Sequence, residues 1–434
     1  MLASKKYINK KIAIYGMGLT GNSAAKKFKT LKANISCWDD NVKIRKKIKK
    51  FTVDRFWLKK DPVDNIVISP GIDINKCKLK KFLKKNLNKI ITDLDIFFEI
   101  HKDKLIISIT GTNGKSTTCK IIEKILKLAK YNVSTVGNIG KPILSSKNLY
   151  KNKVLVIEAS SYQLQYSKLF RSKHAAILNI SPDHLDRHKS LKNYIKIKSR
   201  IFSAQKKDDY TYINSDNKYT KAIKKIFKTK KIKSKLILIN KFNFNLIKNK
   251  IKNAYFKNSG NIENLLFAYA VAKNLKIKDK VIIKALNHFK GLPHRQEVIF
   301  NSKELLCIND SKATSFDASL QCLSNYNNIY WIVGGIPKDQ DKFYLNKVKK
   351  NIKKAYVIGT KTSFFSKELK HKIPYLGTHN LSNAFKNICK DIKLNKNSKN
   401  TVLLSPAAAS FDQFENFESR GAFFKSLVKK NLNV

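Results

Sequence analysis

Residues 104–117 read KLIISITGTNGKST, and the order of those residues decides the fold class. The run Leu105 to Ile109 is apolar and strand-like. After the glycine-rich turn, Ile121, Ile122, Ile125, Leu126 and Ala129 recur at the spacing that gives a helix one buried face. A strand, a glycine turn and a helix N-terminus in succession aim backbone N–H groups and the positive end of the helix at one point, which makes a seat for phosphate. Gly111, Thr112, Asn113, Gly114, Lys115, Ser116 and Thr117 are therefore expected to cradle ATP, with Lys115 against the β/γ-phosphates and the Ser116 hydroxyl turned to Mg²⁺. The loop is a shortened version of the usual one, because Ile109, inside the strand, stands where a first glycine is customary.

Working outward, the pattern repeats. VLVIE at 154–158 and AAILNI at 175–180 read as further strands of the same sheet. Upstream, the strand-like KIAIY at 11–15 leads into Gly16-x-Gly18-x-x-Gly21, the spacing of dinucleotide-binding loops. Asp39 and Asp40 follow about 20 residues later, where such folds place a ribose carboxylate. Taken by itself this loop reads as an NAD site, and the second phosphate loop leaves that question open. NIVISPGI at 65–72 adds another strand ending in a Pro-Gly turn. Downstream, ELLCIN, NIYWIVGG, KAYVIG and NTVLLS suggest a third parallel sheet. The Lys/Asn/Ile-rich stretch 206–257 reads as ordered but poorly specified. The fold class is thus α/β in three domains: a Rossmann-like domain over 1–94, a P-loop-type ATPase domain over 95–297 and a Rossmann-like C-terminal domain over 298–434.

Composition bounds the function. The chain of 434 residues is 42% hydrophobic, and no apolar run reaches the roughly 18 residues of a membrane span. No signal-like stretch opens it, so a cytoplasmic protein without a membrane partner is expected. Six cysteines fall without a C-x-x-C pair, which fits packed thiols rather than a zinc site. The net charge of +59 invites a nucleic-acid reading, but Arg occurs only seven times, so 82 of the 89 basic residues are Lys. Readers of base edges lean on the bidentate fork of Arg. No specific nucleic-acid partner is expected, although a basic surface favours anionic substrates.

Glu158 closes its strand at the carboxyl edge of the sheet, where a carboxylate can hold Mg²⁺. SPDHLDRH at 181–188 puts Asp183, His184 and Asp186 on the same rim. His184 is a candidate neutral ligand, while His188 reads as surface decoration.

GTNGKST, together with GNIG, EASSYQL, SPDHLDRH, LPHRQE, NDSKATS and LSPAAASFDQFENFESRG in this order, resembles the Mur ligases of bacterial cell-wall synthesis, from about residue 12 to 428. The last motif and the N-terminal loop are most similar to the member that adds D-glutamate. The resemblance implies an ATP-dependent ligase acting on UDP-N-acetylmuramoyl-L-alanine (UDP-MurNAc-L-Ala) and D-Glu through an acyl phosphate, with two Mg²⁺ ions, as a monomer. It answers the NAD question: the first domain would take the UDP end of the sugar nucleotide. Leu19 and Thr20 would contact the diphosphate, Asp39 would face the uracil, and Gly71 would border that pocket; Asn41 stands where some relatives carry Arg. Asn138, Ser160 and Gln163 would line the muramoyl channel. Ser116 and Glu158 would hold one Mg²⁺ and His184 the other, helped by a CO₂-derived carbamate on a lysine of LKNYIKIKSRIF, where spacing favours Lys198 over Lys196. Asn261 and Asn264 would face the nucleotide, Arg295 the transferring phosphate, Asp310 the ATP ribose and Lys312 the phosphoryl region. Thr314 and Lys338 would hold one D-glutamate carboxylate, Ser410 and Phe417 the other; Ile336 replaces an Asp of relatives. SFDQ at 410–413 has the form of a capping box, which would set Ser410 at a helix N-terminus, and Ala407 to Ala409 would let a ligand approach the backbone. A sibling ligase with another amino acid, or an NAD-dependent oxidoreductase, is the competing reading.

Overall fold

The computed structural model describes every residue except 1–5, 49–50, 59–62, 138–141, 147–148, 246, 258, 339–340, 394–398 and 433–434. It forms two compact units, Met1–Phe289 and Lys290–Val434.

The first unit holds two sheets. In the first, β1 (Lys11–Tyr15), β2 (Asn34–Trp38), β3 (Asn65–Ile68) and β4 (Ile90–Ile91) are all parallel in the order β2-β1-β3-β4. In the second, β5 (Leu105–Thr110), β6 (Val133–Gly137), β7 (Val154–Glu158), β8 (His174–Ile177), β9 (Tyr210–Asn214) and β10 (Lys235–Ile239) are likewise parallel, in the order β10-β9-β8-β5-β7-β6. The sorting of side chains follows from the two-residue period of a strand. Ile12 and Ile14 join one core with Ala24, Ala25 and Phe28 of helix α1 (Leu19–Thr30), while Ala13 and Tyr15 join another with Ile66 and Leu83. A parallel sheet covered on both faces needs such runs, apolar throughout. The core under Ile12 continues without a break through Leu94, Phe97, Ile106 and Leu155, so the two sheets share one apolar cluster.

On the opposite face of β5, Ile107 and Ile109 pack against Ile121, Ile122, Ile125 and Leu126 of helix α3 (Lys115–Leu128). Burying each such side chain contributes about 1.5–3 kcal/mol, which anchors the helix whose N-terminus meets the glycine loop. The lysine-rich stretch after 206 is ordered and supplies β9 and the edge strand β10. Helix α2 (Asp93–His101) links the sheets and starts with a complete Thr92–Asp95 capping box.

The second unit is a six-stranded sheet of β11 (Glu297–Asn301), β12 (Leu305–Asn309), β13 (Ile329–Gly334), β14 (Ile352–Ile358), β15 (Tyr375–His379) and β16 (Asn400–Leu404), ordered β11-β12-β16-β13-β14-β15. The four strands expected from the sequence, β12, β13, β14 and β16, pair in parallel, while the edge strand β11, not foreseen in the sequence, runs antiparallel to β12. A hairpin-like return across Ser302 to Glu304 is too short for the crossover a parallel partner would need. Trp331 and Val333 face one core, Tyr330 and Ile332 the other.

Candidate functional site

The first glycine loop sits where β1 ends and α1 begins, and its third glycine has a strict steric reason. A Cβ on Gly21 would lie 2.0 Å from the Gly16 carbonyl oxygen, so only glycine lets the helix start this close to the turn. Asp39 is buried beside the loop rather than in the wall of the adjoining cavity. Its carboxylate accepts from the Met17 N–H at 2.7 Å and the Asn41 N–H at 2.9 Å. Asn41 caps the short helix Val42–Lys47 through the Lys43 N–H. A dinucleotide site would turn this carboxylate to the ribose; here it is engaged within the loop. The Ser69 hydroxyl, at the end of β3, closes onto the Gly16 carbonyl.

The second glycine loop joins β5 to α3. Gly114 has φ +82°, and a Cβ there would meet the Asn264 amide oxygen at 2.1 Å. Asn264 lies on helix α5 (Ser259–Asn274), is buried, and accepts from the Thr118 hydroxyl at 3.1 Å. The asparagine therefore braces the loop from behind and is not a helix cap. Asn261 instead donates to the Tyr255 carbonyl at 2.8 Å. The Asn113 N–H binds the Asn179 side chain at 2.8 Å, and the Thr112 hydroxyl donates to the Ser181 carbonyl at 3.2 Å. Lys115 curls over its own loop, donating to the carbonyls of Gly111 and Thr112 at 3.0 and 2.8 Å. The Ser116 hydroxyl donates to the Glu158 carboxylate at 2.6 Å, with both residues buried. These are hard oxygen donors next to a phosphate seat, a set that fits Mg²⁺. Among the described residues no three His, Cys, Asp or Glu side chains converge as a ready cage. A cation here would need oxygens from its ligands as well.

His184 opens a turn of helix, Leu185–His188, with φ 54°. Its Nδ1 meets the Tyr162 hydroxyl at 3.1 Å and its Nε2 lies 3.3 Å from the Asp183 carboxylate. Of the two lysines that LKNYIKIKSRIF offers, Lys196 is exposed and Lys198, which spacing favours, is only 2% exposed. Both belong to helix α4 (Leu191–Lys198). The Lys198 amine donates to the Gly111 carbonyl at 2.8 Å and stands 4.7 Å over the Tyr194 ring. Burial, with Lys115 nearby, holds that amine well below the usual lysine range. This is the environment in which an amine is neutral enough to react with CO₂.

These parts open onto one cavity of about 540 Å³. Leu19, Thr20 and Gly71 line it from the first sheet, and Lys115, Ser160, Gln163, His184 and Lys198 from the second. Asn138 lies outside the described residues. Sequence reasoning missed Asp93, Tyr162 and Tyr194, which also line the cavity. Ser160 and Gln163 form a capping box on the short helix Ser161–Leu164, and the Gln163 amide also donates to Asp93 at 2.8 Å. Burial raises the Asp93 carboxyl to about 6. His188 corrects an expectation: it is fully buried, its Nε2 3.0 Å from the Ser161 hydroxyl, with Tyr162 and Tyr194 on either side. The helical turn after His184 rolls it inward, away from solvent.

In the second unit, Asp310 is buried and accepts from the Ser405 hydroxyl at 2.9 Å and the Gln296 N–H at 3.1 Å. Desolvation lifts its carboxyl to about 6, against the pull of Arg295 nearby. Lys312 stands 4.8 Å over the Phe417 ring. Ile336 and Ala409 exchange both backbone hydrogen bonds at 2.9 Å, tying the strand end before the exposed Lys338 to the turn before Ser410. Thr314 is half-buried in the loop after β12. The SFDQ capping box does not form. Ser410 leads into a single turn, Gln413 donates to the His379 carbonyl at 2.8 Å, and helix α6 (Phe417–Leu432) begins later, where the Asn416 side chain accepts from the Ser419 N–H at 2.7 Å. Arg420, unremarked in the sequence, is 1% exposed and donates to the Ser311 and Ala408 carbonyls at 2.8 and 3.0 Å, holding the alanine turn to the loop after β12.

Residues 109–282 match the Mur ligase middle domain. The chain is 35% identical over 445 residues to the UDP-N-acetylmuramoylalanine–D-glutamate ligase of Rickettsia felis, covering 98% of each chain. It is 36% identical to the protein of that name from Rickettsia prowazekii, over 98% of this chain and 99% of the relative. Among solved structures it is similar in fold to a MurF ligase from Thermotoga maritima in complex with ADP (TM-score 0.56, 15% identity, 99% and 97% coverage). A pseudomurein peptide ligase type C from Methanothermus fervidus is also similar (TM-score 0.55, 19% identity, 97% and 100% coverage).

Proposed function

The chain belongs to the Mur ligase family, and on that premise we propose that it joins D-glutamate to UDP-N-acetylmuramoyl-L-alanine with cleavage of ATP, in peptidoglycan precursor synthesis. One observation carries this reading: two glycine loops, each built to hold a nucleotide's phosphates, open onto a single cavity.

The work divides among three domains, 1–94 for the uridine nucleotide, 95–297 for ATP and 298–434 for the amino acid and the ATP ribose. Leu19, Thr20 and Gly71 seat the diphosphate end of the acceptor, and Ser160 and Gln163 line its path toward His184. A carboxylate is a poor electrophile, so the acceptor's alanyl oxygen attacks the γ-phosphorus of ATP, ADP departs, and an acyl phosphate forms. The amine of D-glutamate then attacks the carbonyl carbon, the tetrahedral intermediate expels phosphate, and the amine proton is lost. Such steps are accelerated by alignment and by neutralising crowded anions. Lys115, released from its own loop carbonyls, reaches the β/γ-phosphates, while Arg295 and Lys312 reach the transferring phosphoryl group. Asn264 keeps the loop in shape, and Asp310 takes the ribose. Ser116 and Glu158 would hold one Mg²⁺, and His184 with a carbamylated Lys198 a second, supplying charge neutralisation to the phosphates. Thr314, Lys338, Ser410 and Phe417 receive the two carboxylates of D-glutamate. The enzyme works as a monomer.

The test is phosphate release by the purified chain with UDP-MurNAc-L-Ala, ATP and a panel of amino acids. Turnover that requires D-Glu is expected. Release with L-Ala or a diamino acid in place of D-Glu overturns the assignment.

A further inference from the structure

Arg187 lies three residues beyond His184 and is 8% exposed, yet it faces no carboxylate partner among the described residues. Its guanidinium is spent on neutral oxygens from two places. The Nε donates to the Gln165 amide oxygen at 2.9 Å, on the second sheet's side. The Nη atoms reach the carbonyls of Gly71 at 3.3 Å, Pro70 at 3.4 Å and Ile72, all in the turn that ends β3 of the first sheet. The plane also stands 5.4 Å from the Tyr162 ring, whose hydroxyl meets His184. On its far side the same turn is fixed to the first glycine loop by the Ser69 hydroxyl on the Gly16 carbonyl. A continuous line of contacts thus runs from the His184 rim through Arg187 and the Pro70–Ile72 turn to Gly16. Pro70 and Gly71 line the shared cavity beside Leu19 and Thr20. A planar fork with five donors is suited to gathering several carbonyls at once, which an ammonium on a flexible stem is not.

We propose that Arg187 is a positioning residue for the uridine-sugar acceptor: it locks the turn bordering the first cradle to the rim of the second, so that the acceptor's nucleotide end and its reacting end share one rigid frame. The inference rests on the ligase reading above. The test is calorimetric titration of the full chain with UDP and, separately, with ADP, in the wild type, Arg187→Ala, Arg187→Lys and Gln165→Ala, with thermal midpoints recorded alongside. Losing charge-assisted bonds that shape the turn weakens UDP by about tenfold in both Arg187 variants. ADP affinity stays within about twofold, because the hydrogen bonds that shape the second loop run to Asn179, Ser181 and Lys115 and those that shape the turn run to Arg187. Gln165→Ala gives a smaller loss in the same direction and keeps the proposal testable should the Arg187 variants not fold. In turnover, the acceptor KM rises while the ATP KM does not. Equal losses for UDP and ADP, or unchanged UDP affinity with only a lower thermal midpoint, overturn the proposal. A wild-type chain that binds ADP but ignores UDP overturns the ligase reading with it.

Discussion

At the scale of the residue, Lys198 concentrates the chemistry. It is buried, points at the Gly111 carbonyl, and its amine is held well below the usual lysine range by desolvation and by Lys115. On the proposed reading a neutral amine at that place would take up CO₂, and the carbamate would supply negative charge to a cation near His184. Lys198→Ala is expected to lose about 100-fold in kcat, the range for removing one preorganised electrostatic group. Carbon-13 NMR with labelled bicarbonate should show a carbamate signal in the wild type and none in the variant. Full turnover by Lys198→Ala in CO₂-depleted buffer would contradict the role. Spacing favours Lys198 over Lys196 but does not report burial; the helix places Lys196 in solvent and Lys198 over Tyr194. The glycines were easier to read. Gly21 is dictated by the Gly16 carbonyl five residues back, a local constraint that leaves a fixed spacing in the chain, whereas Gly114 answers to its positive φ and to Asn264, a partner distant in sequence.

At the scale of the element, two stretches with the same S-x-x-Q form behave differently. Ser160 and Gln163 close a capping box, whereas Gln413 turns to the His379 carbonyl and leaves Ser410 in a lone turn. The pattern specifies what two residues can exchange, but a partner distant in sequence decides whether they do. The same limit hid the burial of His188 and the antiparallel β11. Strand periodicity and the strand–glycine–helix units were legible because they are written within a dozen residues. Strand β8 offers an element-level prediction. His174 is enclosed by Tyr210 and Tyr212, bonds the Tyr212 hydroxyl at 2.8 Å, and is held down to about 4 by burial and by Lys173. The unfolded chain takes a proton near pH 6.5 and the folded chain only near 4. The stability from the neutral ring is therefore complete above about 6.5 and lost as pH falls toward 4, an effect of up to about 3 kcal/mol. Urea midpoints should fall across that window, and His174→Gln should flatten the slope while lowering stability at neutral pH. An unchanged slope would show that the ring titrates normally.

At the scale of the whole molecule, the +59 charge is a property of composition rather than of the site, since lysine is spread over nearly every segment. Among the described residues no helix is long and apolar enough to cross a membrane. What distinguishes the chain is the pairing of two cradles on one cavity within the first unit, with buried Asp310 and Arg420 ordering the loops of the second. That arrangement is meaningful only if triphosphate cleavage activates the acceptor's own carboxylate. The most direct measurement supplies acceptor labelled with oxygen-18 in its alanyl carboxylate, together with ATP and D-glutamate, and reads the released phosphate by phosphorus-31 NMR. Attack by that carboxylate followed by displacement transfers one labelled oxygen to each phosphate formed. Phosphate carrying no label, with ligated product accumulating, would contradict the account.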